Sequence, residues 1–288
     1  FSRLYPLHFA TLVFVACGQA VHVYLTKTEF VYGFNDPFHF LLNLAFASSW
    51  GFNNGFSFNG PAWSVSVEIL LYGMFFVVCR QGMARAAVLF ALSFGVGGVV
   101  STFNLPLGNG IACFFAGGLA FRVFAALVGK ESNERALFLA LALASVAWVL
   151  TALSAGGIVG FPAGKFGFVP RLFPIYVLYP VTLIAAALAE SYWRRGRKLG
   201  FLGDISYSLY LIHFPLQLAA VLLLVKSQVH PSIFYSRSFF ILFFVVLISL
   251  SFASHTYFEM PLQRWIRGRF AVDLPRPLMV AERMPVAK

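Results

Sequence analysis

The sequence predicts an all-α, polytopic transmembrane helical bundle, and three observations carry that prediction. The 288 residues are 60% hydrophobic and only 11% charged. Their mean hydropathy is +0.81, far above that of a soluble globular domain. The apolar residues also fall in runs of about 20, the length a helix needs to cross a bilayer. Short polar breaks separate these runs and leave no stretch able to build a soluble core.

Eight runs qualify in chain order: residues 7–25, 61–79, 86–103, 109–129, 136–155, 171–191, 205–225 and 238–259. The second opens on Pro61, and proline suits the first turn of a helix. Between the first and the second, the run from Phe38 to Trp50 is too short to cross and reads as a re-entrant or interfacial segment. Residues 50–60 hold three Asn and three Gly among aromatic residues, a composition for an irregular loop lining an entrance. Gly95, Gly97 and Gly98 in the third run, with Gly117 and Gly118 in the fourth, suit close helix packing. The glycine-rich loop 156–170 lacks the spacing and the Lys-Ser/Thr of a phosphate loop. Residues 1–268 read as one membrane domain and 269–288 as a basic cytoplasmic tail.

Charge sets the orientation. With Arg3 inside and residues 38–50 not crossing, sixteen of the twenty-one Lys and Arg residues fall on the inner side, as the positive-inside rule requires. Both ends are then cytoplasmic. The net charge of +11 is explained by these clusters and does not point to nucleic acid. Cys17, Cys79 and Cys113 lack metal-ligand spacing and read as packed thiols, and no zinc or hydrolase-elbow motif occurs. His8, His22 and His39 read as interfacial or packed.

Two stretches carry chemistry. Asn59-Gly-Pro-Ala-Trp-Ser-Val-Ser-Val-Glu68 continues to Tyr72, and helical rise places Glu68 roughly 10 Å below Pro61. An ionisable group at that depth is costly and marks function by default. Ser64, Glu68 and Tyr72 recur every fourth residue and form one stripe.

The second stretch runs Gly203-Asp-Ile-Ser-Tyr-Ser-Leu-Tyr-Leu-Ile-His213-Phe-Pro215. Asp204 is placed to cap a helix, and Ser206, Tyr210 and His213 share one face of it. His213 lies about 14 Å along that helix from Asp204. Pro215 frees the Leu211 carbonyl, which is then available to orient the imidazole. The depths allow Glu68 and His213 to meet, either as an acid–base pair or as a satisfied pair fastening two helices. Near the end, Glu259 lies one turn from His255 and beside Arg264 and Arg267, and a structural ion pair is expected there.

The first stretch resembles the Pro-x-Trp-Ser-Leu-Ser-x-Glu signature of the acyltransferase 3 family, and Ile205 to Pro215 resembles that family's Ser-Tyr-x-x-Tyr-Leu-x-His-x-Pro. With Glu259-Met-Pro261, the resemblance spans nearly the whole chain. It implies a ten-span membrane enzyme that moves an acyl group, acetyl in the simplest case, from acyl-CoA to a carbohydrate hydroxyl. No tightly bound cofactor is implied. The resemblance places two further spans before Phe1, the first holding an Arg and a catalytic His; Arg3-Leu-Tyr-Pro6 matches the end of the next motif. On this reading catalysis is expected of Glu68, His213, Tyr210 and Ser64, substrate contacts of Asn59, Trp63, Tyr72 and Ser206, and contact with the CoA phosphates of Arg3. His213 and Tyr210 would orient groups or stabilise the oxyanion, with Glu68 assisting the base. Partners are the lipid bilayer, acyl-CoA and a cell-surface or lipid-linked glycan such as lipopolysaccharide, in a bacterial cytoplasmic membrane. The alternative is a glycan transporter or flippase relaying protons through Glu68 and His213.

Overall fold

The computed structural model describes residues 2–82, 85–128, 133–155, 172–193, 200–227 and 230–270, and among these there are helices and no strands. Eight helices are long and apolar enough to cross a membrane. They begin and end within a few residues of the runs read from hydropathy, except that the last continues to Arg269. The loop 156–170, the cluster 194–198 and the tail beyond Phe270 lie outside the described residues. The chain forms two compact units, Phe1–Ser66 with Lys198–Lys288, and Val67–Arg197.

In the first unit, helix α1 (Tyr5–Thr26) ends where Lys27 turns left-handed, its N–H returning to the Val23 carbonyl. The chain then leaves α1 and travels back along it. Gln19 exchanges hydrogen bonds with the Phe30 backbone at 2.8 and 3.1 Å, and His8 Nε2 bonds the Asn43 carbonyl at 2.8 Å. Eleven residues of α1 separate these fixed points, about 16 Å of descent. Helix α2 (Pro37–Leu44) forms the lower part of that descent, capped by Asp36. The return arm rises to Phe58, whose N–H bonds Asn35 Oδ1 at 2.7 Å. The segment is therefore a re-entrant hairpin, with its two arms joined at Asn35 and Phe58.

Non-helical backbone at membrane depth persists only where protein satisfies its polar groups. Here side chains do so: Asn43 donates to the His39 carbonyl and to Ser57 Oγ, and His39 Nε2 accepts the Asn54 N–H. Trp50 Nε1 donates to the Ser66 carbonyl, and Ser66 Oγ accepts the Ser49 N–H. Residues 50–60 are thus mostly an arm of this hairpin, with Ser57, Phe58 and Asn59 buried, and only Phe52 and Phe56 among the large rings stand exposed. His8, His22 and His39 are packed in the protein and hydrogen-bonded, as read.

A 3₁₀ turn (Gly60–Ala62) leads into α3 (Trp63–Arg80). The partner of α1 is α8 (Gly200–Ser227), and Leu12, Val15, Phe58, Phe214 and Leu218 form the core they share. A Cβ on Gly18 would stand 2.6 Å from Leu218 Cδ2, so glycine sets that approach. Because α8 starts at Gly200, Asp204 is inside the helix and is not its cap. Helix α9 (Arg237–Ala253) passes through a π-helical turn (Ser254–Glu259) into α10 (Met260–Phe270). The extra residue of the π turn rotates Glu259 inward. Buried, it accepts Ser208 Oγ at 2.5 Å and Ser254 Oγ at 2.9 Å. The expected pairing with His255 or the arginines is not formed: Glu259 takes the two serine hydroxyls instead, and His255 Nδ1 has no partner among the described residues.

The second unit holds the rest of α3 with α4 (Ala86–Phe103), α5 (Leu105–Leu127), α6 (Asn133–Ala155) and α7 (Pro174–Trp193). Asn104 caps α5 by accepting the Leu107 N–H. Of the glycines read as packing positions, Gly97 meets the Ala112 backbone, whereas Gly95, Gly98 and Gly117 face open space. Helix α6 meets α7 through Leu137, Ala140, Ala144, Ala185 and Leu188. The three cysteines are exposed on helix faces turned away from the protein interior, so they are not packed thiols.

Candidate active site

The first unit brings four of the sequence-selected residues together. Ser64, in the first turn of α3, donates to the Tyr210 hydroxyl at 2.9 Å. The Tyr210 hydroxyl in turn donates to the Pro61 carbonyl, one of the carbonyls at the start of the helix. Asn59 Nδ2 donates to the Leu211 carbonyl at 3.1 Å. That carbonyl is the one Pro215 leaves without its helical partner, so the buried Asn59 amide stands in for the missing backbone N–H. Both conspicuous stretches are therefore joined by side chains, with the 3₁₀ turn at Gly60 held against α8.

The imidazole is held by a different carbonyl from the one expected. His213 Nδ1 lies 2.5 Å from the Tyr210 carbonyl oxygen. A carbonyl only accepts, so Nδ1 carries the hydrogen and the neutral ring has its lone pair on Nε2. No described residue bonds Nε2. The ring instead lines a cavity of about 370 Å³ with Ser206, Tyr210, Gln217, Phe243 and Leu247. Ser206 spends its own hydrogen on the Gly203 carbonyl at 2.8 Å.

Tyr32 is a site residue the sequence did not single out. It sits on the descending arm, its ring 5.3 Å from that of Phe214 and 6.0 Å from that of Phe56. Burial, with Tyr210 nearby, pushes the Tyr32 hydroxyl above the usual phenol range. Trp63 continues this aromatic group, 6.4 Å from Phe56 between ring centres. An isolated Tyr in an aromatic-rich loop carries no periodic signal, which is why only the fold reveals it.

Arg3 stands exposed at the Gly200 end of α8, where its guanidinium reaches the Asp204 carbonyl at 3.5 Å. Glu68 and Tyr72 belong to the second unit. There Glu68 is half-buried and accepts the Tyr72 hydroxyl one turn along the same helix. Among the described residues, no group of three His, Cys, Asp or Glu side chains gathers to hold a metal ion.

Chemically, the first-unit cluster offers one oriented imidazole with a free lone pair, a fixed pair of hydroxyls and a cavity beside them. A proton acceptor held in this way can abstract a proton from a hydroxyl placed in that cavity. A family model described as an acyltransferase domain matches residues 1–256. No curated protein and no solved structure matches the chain.

Proposed function

The chain belongs to the acyltransferase 3 family, and from that premise we propose that it is a membrane O-acyltransferase moving an acyl group from acyl-CoA to a carbohydrate hydroxyl. Acetyl-CoA is the simplest donor, and the acceptor is a cell-surface or lipid-linked glycan such as lipopolysaccharide. The observation that carries the reading is the pinned His213 ring, with Nδ1–H on the Tyr210 carbonyl, no described partner on Nε2, and the residue lining the cavity.

The resemblance puts a catalytic His before Phe1 and leaves His213 to orient groups or stabilise the oxyanion; we give His213 the proton-acceptor role instead, because a neutral ring with Nδ1–H engaged offers only a lone pair at Nε2. Nε2 takes the proton of the acceptor hydroxyl while its oxygen adds to the thioester carbonyl carbon. The carbon–sulfur bond then breaks, and the imidazolium returns its proton to the departing CoA thiolate, giving an ester and free CoA. The neutral Nδ1–H tautomer supplies the acceptor the first step needs, and the Tyr210 carbonyl stabilises the imidazolium that forms. Ser64 and the Pro61 carbonyl fix the Tyr210 side chain, and the Tyr210 backbone carbonyl holds the ring. Asn59, Trp63, Tyr72 and Ser206 serve the substrates. For Glu68, a carboxylate one turn beyond Ser64 on the apolar helix α3, the resemblance suggests a part in the acid–base chemistry. Arg3 meets the CoA phosphates, a role its exposure and basicity suit. The distribution of Lys and Arg supports an orientation with both ends of this chain cytoplasmic, and on this reading the protein sits in a bacterial cytoplasmic membrane.

Mass spectrometry of surface glycans from cells with and without the gene tests the reading. Loss of acyl esters from an otherwise intact glycan supports it. Loss of the whole glycan supports the transporter instead.

A further inference from the structure

The His213 cavity is not closed at its far end. Gln217 lies one turn beyond His213 on the same face of α8, and together with Phe243 and Phe244 it also lines a second cavity of about 450 Å³. Beyond Gln217 the polar stripe stops. The walls there are Phe30, Ala220, Val221, Phe234, Phe239 and Phe240. Helix α8 thus presents in order Ser206, Tyr210, His213 and Gln217, then only apolar side chains for about 6 Å to Val221. The Gln217 side chain is exposed where the two cavities meet, with its amide free of any described partner and so available to a ligand carbonyl.

An occupant that satisfies all of this has one polar carbonyl and a hydrocarbon tail in line with it. We propose that the second cavity is the acyl-tail subsite of the transferase, so that the enzyme accepts acyl groups longer than acetyl. The thioester carbonyl sits between His213 Nε2 and the Gln217 amide, and the tail runs past Ala220 and Val221 among the phenylalanines. The direction agrees with a donor entering from the Arg3 end of α8, because headgroup, carbonyl and tail then follow the helix in sequence. This inference rests on the acyl-transfer reading and adds the donor class to it.

The test uses the full chain in lipid nanodiscs and unreactive S-alkyl-CoA thioethers of two to eight carbons. Affinity is expected to rise with alkyl length, up to about fourfold per methylene. Ala220→Trp, which fills the tail cavity, is expected to flatten that rise, and Val221→Trp provides a second variant should the first fail to fold. In the transfer assay Ala220→Trp should keep acetyl transfer and lose hexanoyl transfer at least tenfold. Gln217→Leu should slow transfer of every donor without changing the dependence on length. Affinity indifferent to chain length in the wild type, or equal loss of acetyl and hexanoyl transfer in both Trp variants, overturns the proposal. Length-dependent binding without transfer from any donor supports the subsite and sinks the acyl-transfer reading instead.

Discussion

Asn59 Nδ2 donates to the Leu211 carbonyl across 3.1 Å, filling the hydrogen-bond vacancy that Pro215 makes in α8. Both groups are buried. Asn59→Ala should therefore strand a carbonyl in an apolar site and cost roughly 1–3 kcal/mol. Thermal unfolding of the purified variant should show a fall of several degrees. An unchanged midpoint would mean that water or another donor already serves Leu211.

The Ser64–Tyr210–Pro61 chain predicts an ordered pair of effects. Tyr210→Phe removes both of its hydrogen bonds at once, whereas Ser64→Ala removes one. Transfer should fall further in Tyr210→Phe, and the double variant should be no worse than Tyr210→Phe alone, because residues sharing one network are not additive. Additive losses in kcat would separate the two hydroxyls.

Asp36 predicts an acid limit. The His39 backbone N–H and then its imidazole hold the Asp36 carboxyl below its ordinary value of 3.8. A carboxylate depressed on folding contributes stability above its unfolded pKa and loses it as pH falls through the folded one. The contribution of this cap should be complete above about pH 4 and fade below it. In Asp36→Asn the stability difference from wild type should shrink as pH is lowered from 6 to 3; a difference constant over that range contradicts the assignment.

Glu68→Gln keeps a polar side chain of the same size on α3, able to bond Tyr72. The prediction is loss of glycan acylation with normal expression and membrane insertion. Undiminished acylation would remove Glu68 from the mechanism.

The spans were legible because bilayer thickness and helical rise translate directly into runs of about 20 apolar residues. Residues 38–50 were legible as non-crossing by length alone. Their depth was not, because it depends on Gln19, His8, Asn35 and Asn43 meeting backbone far along the chain, and such contacts leave no period in the sequence. The clustering of Ser206, Tyr210 and His213 on one face followed from spacing. Gln217 continues the same stripe beyond Pro215, where the helix runs on with Asn59 repairing the gap. Glu259 was misjudged for a similar reason, since the π turn at Ser254–Glu259 breaks the 3.6-residue register that paired it with His255.

The account turns on His213. His213→Asn retains a side-chain N–H for the Tyr210 carbonyl and removes only the Nε2 lone pair, so it isolates the proposed chemistry from the fold. The decisive measurement is transfer of label from acetyl-CoA to alkali-labile ester on glycan, by the full chain reconstituted in proteoliposomes. The wild type should form labelled ester, and His213→Asn should form it roughly 10²–10⁴-fold more slowly with an unchanged unfolding midpoint. A His213→Asn variant that transfers label at the wild-type rate would contradict the account.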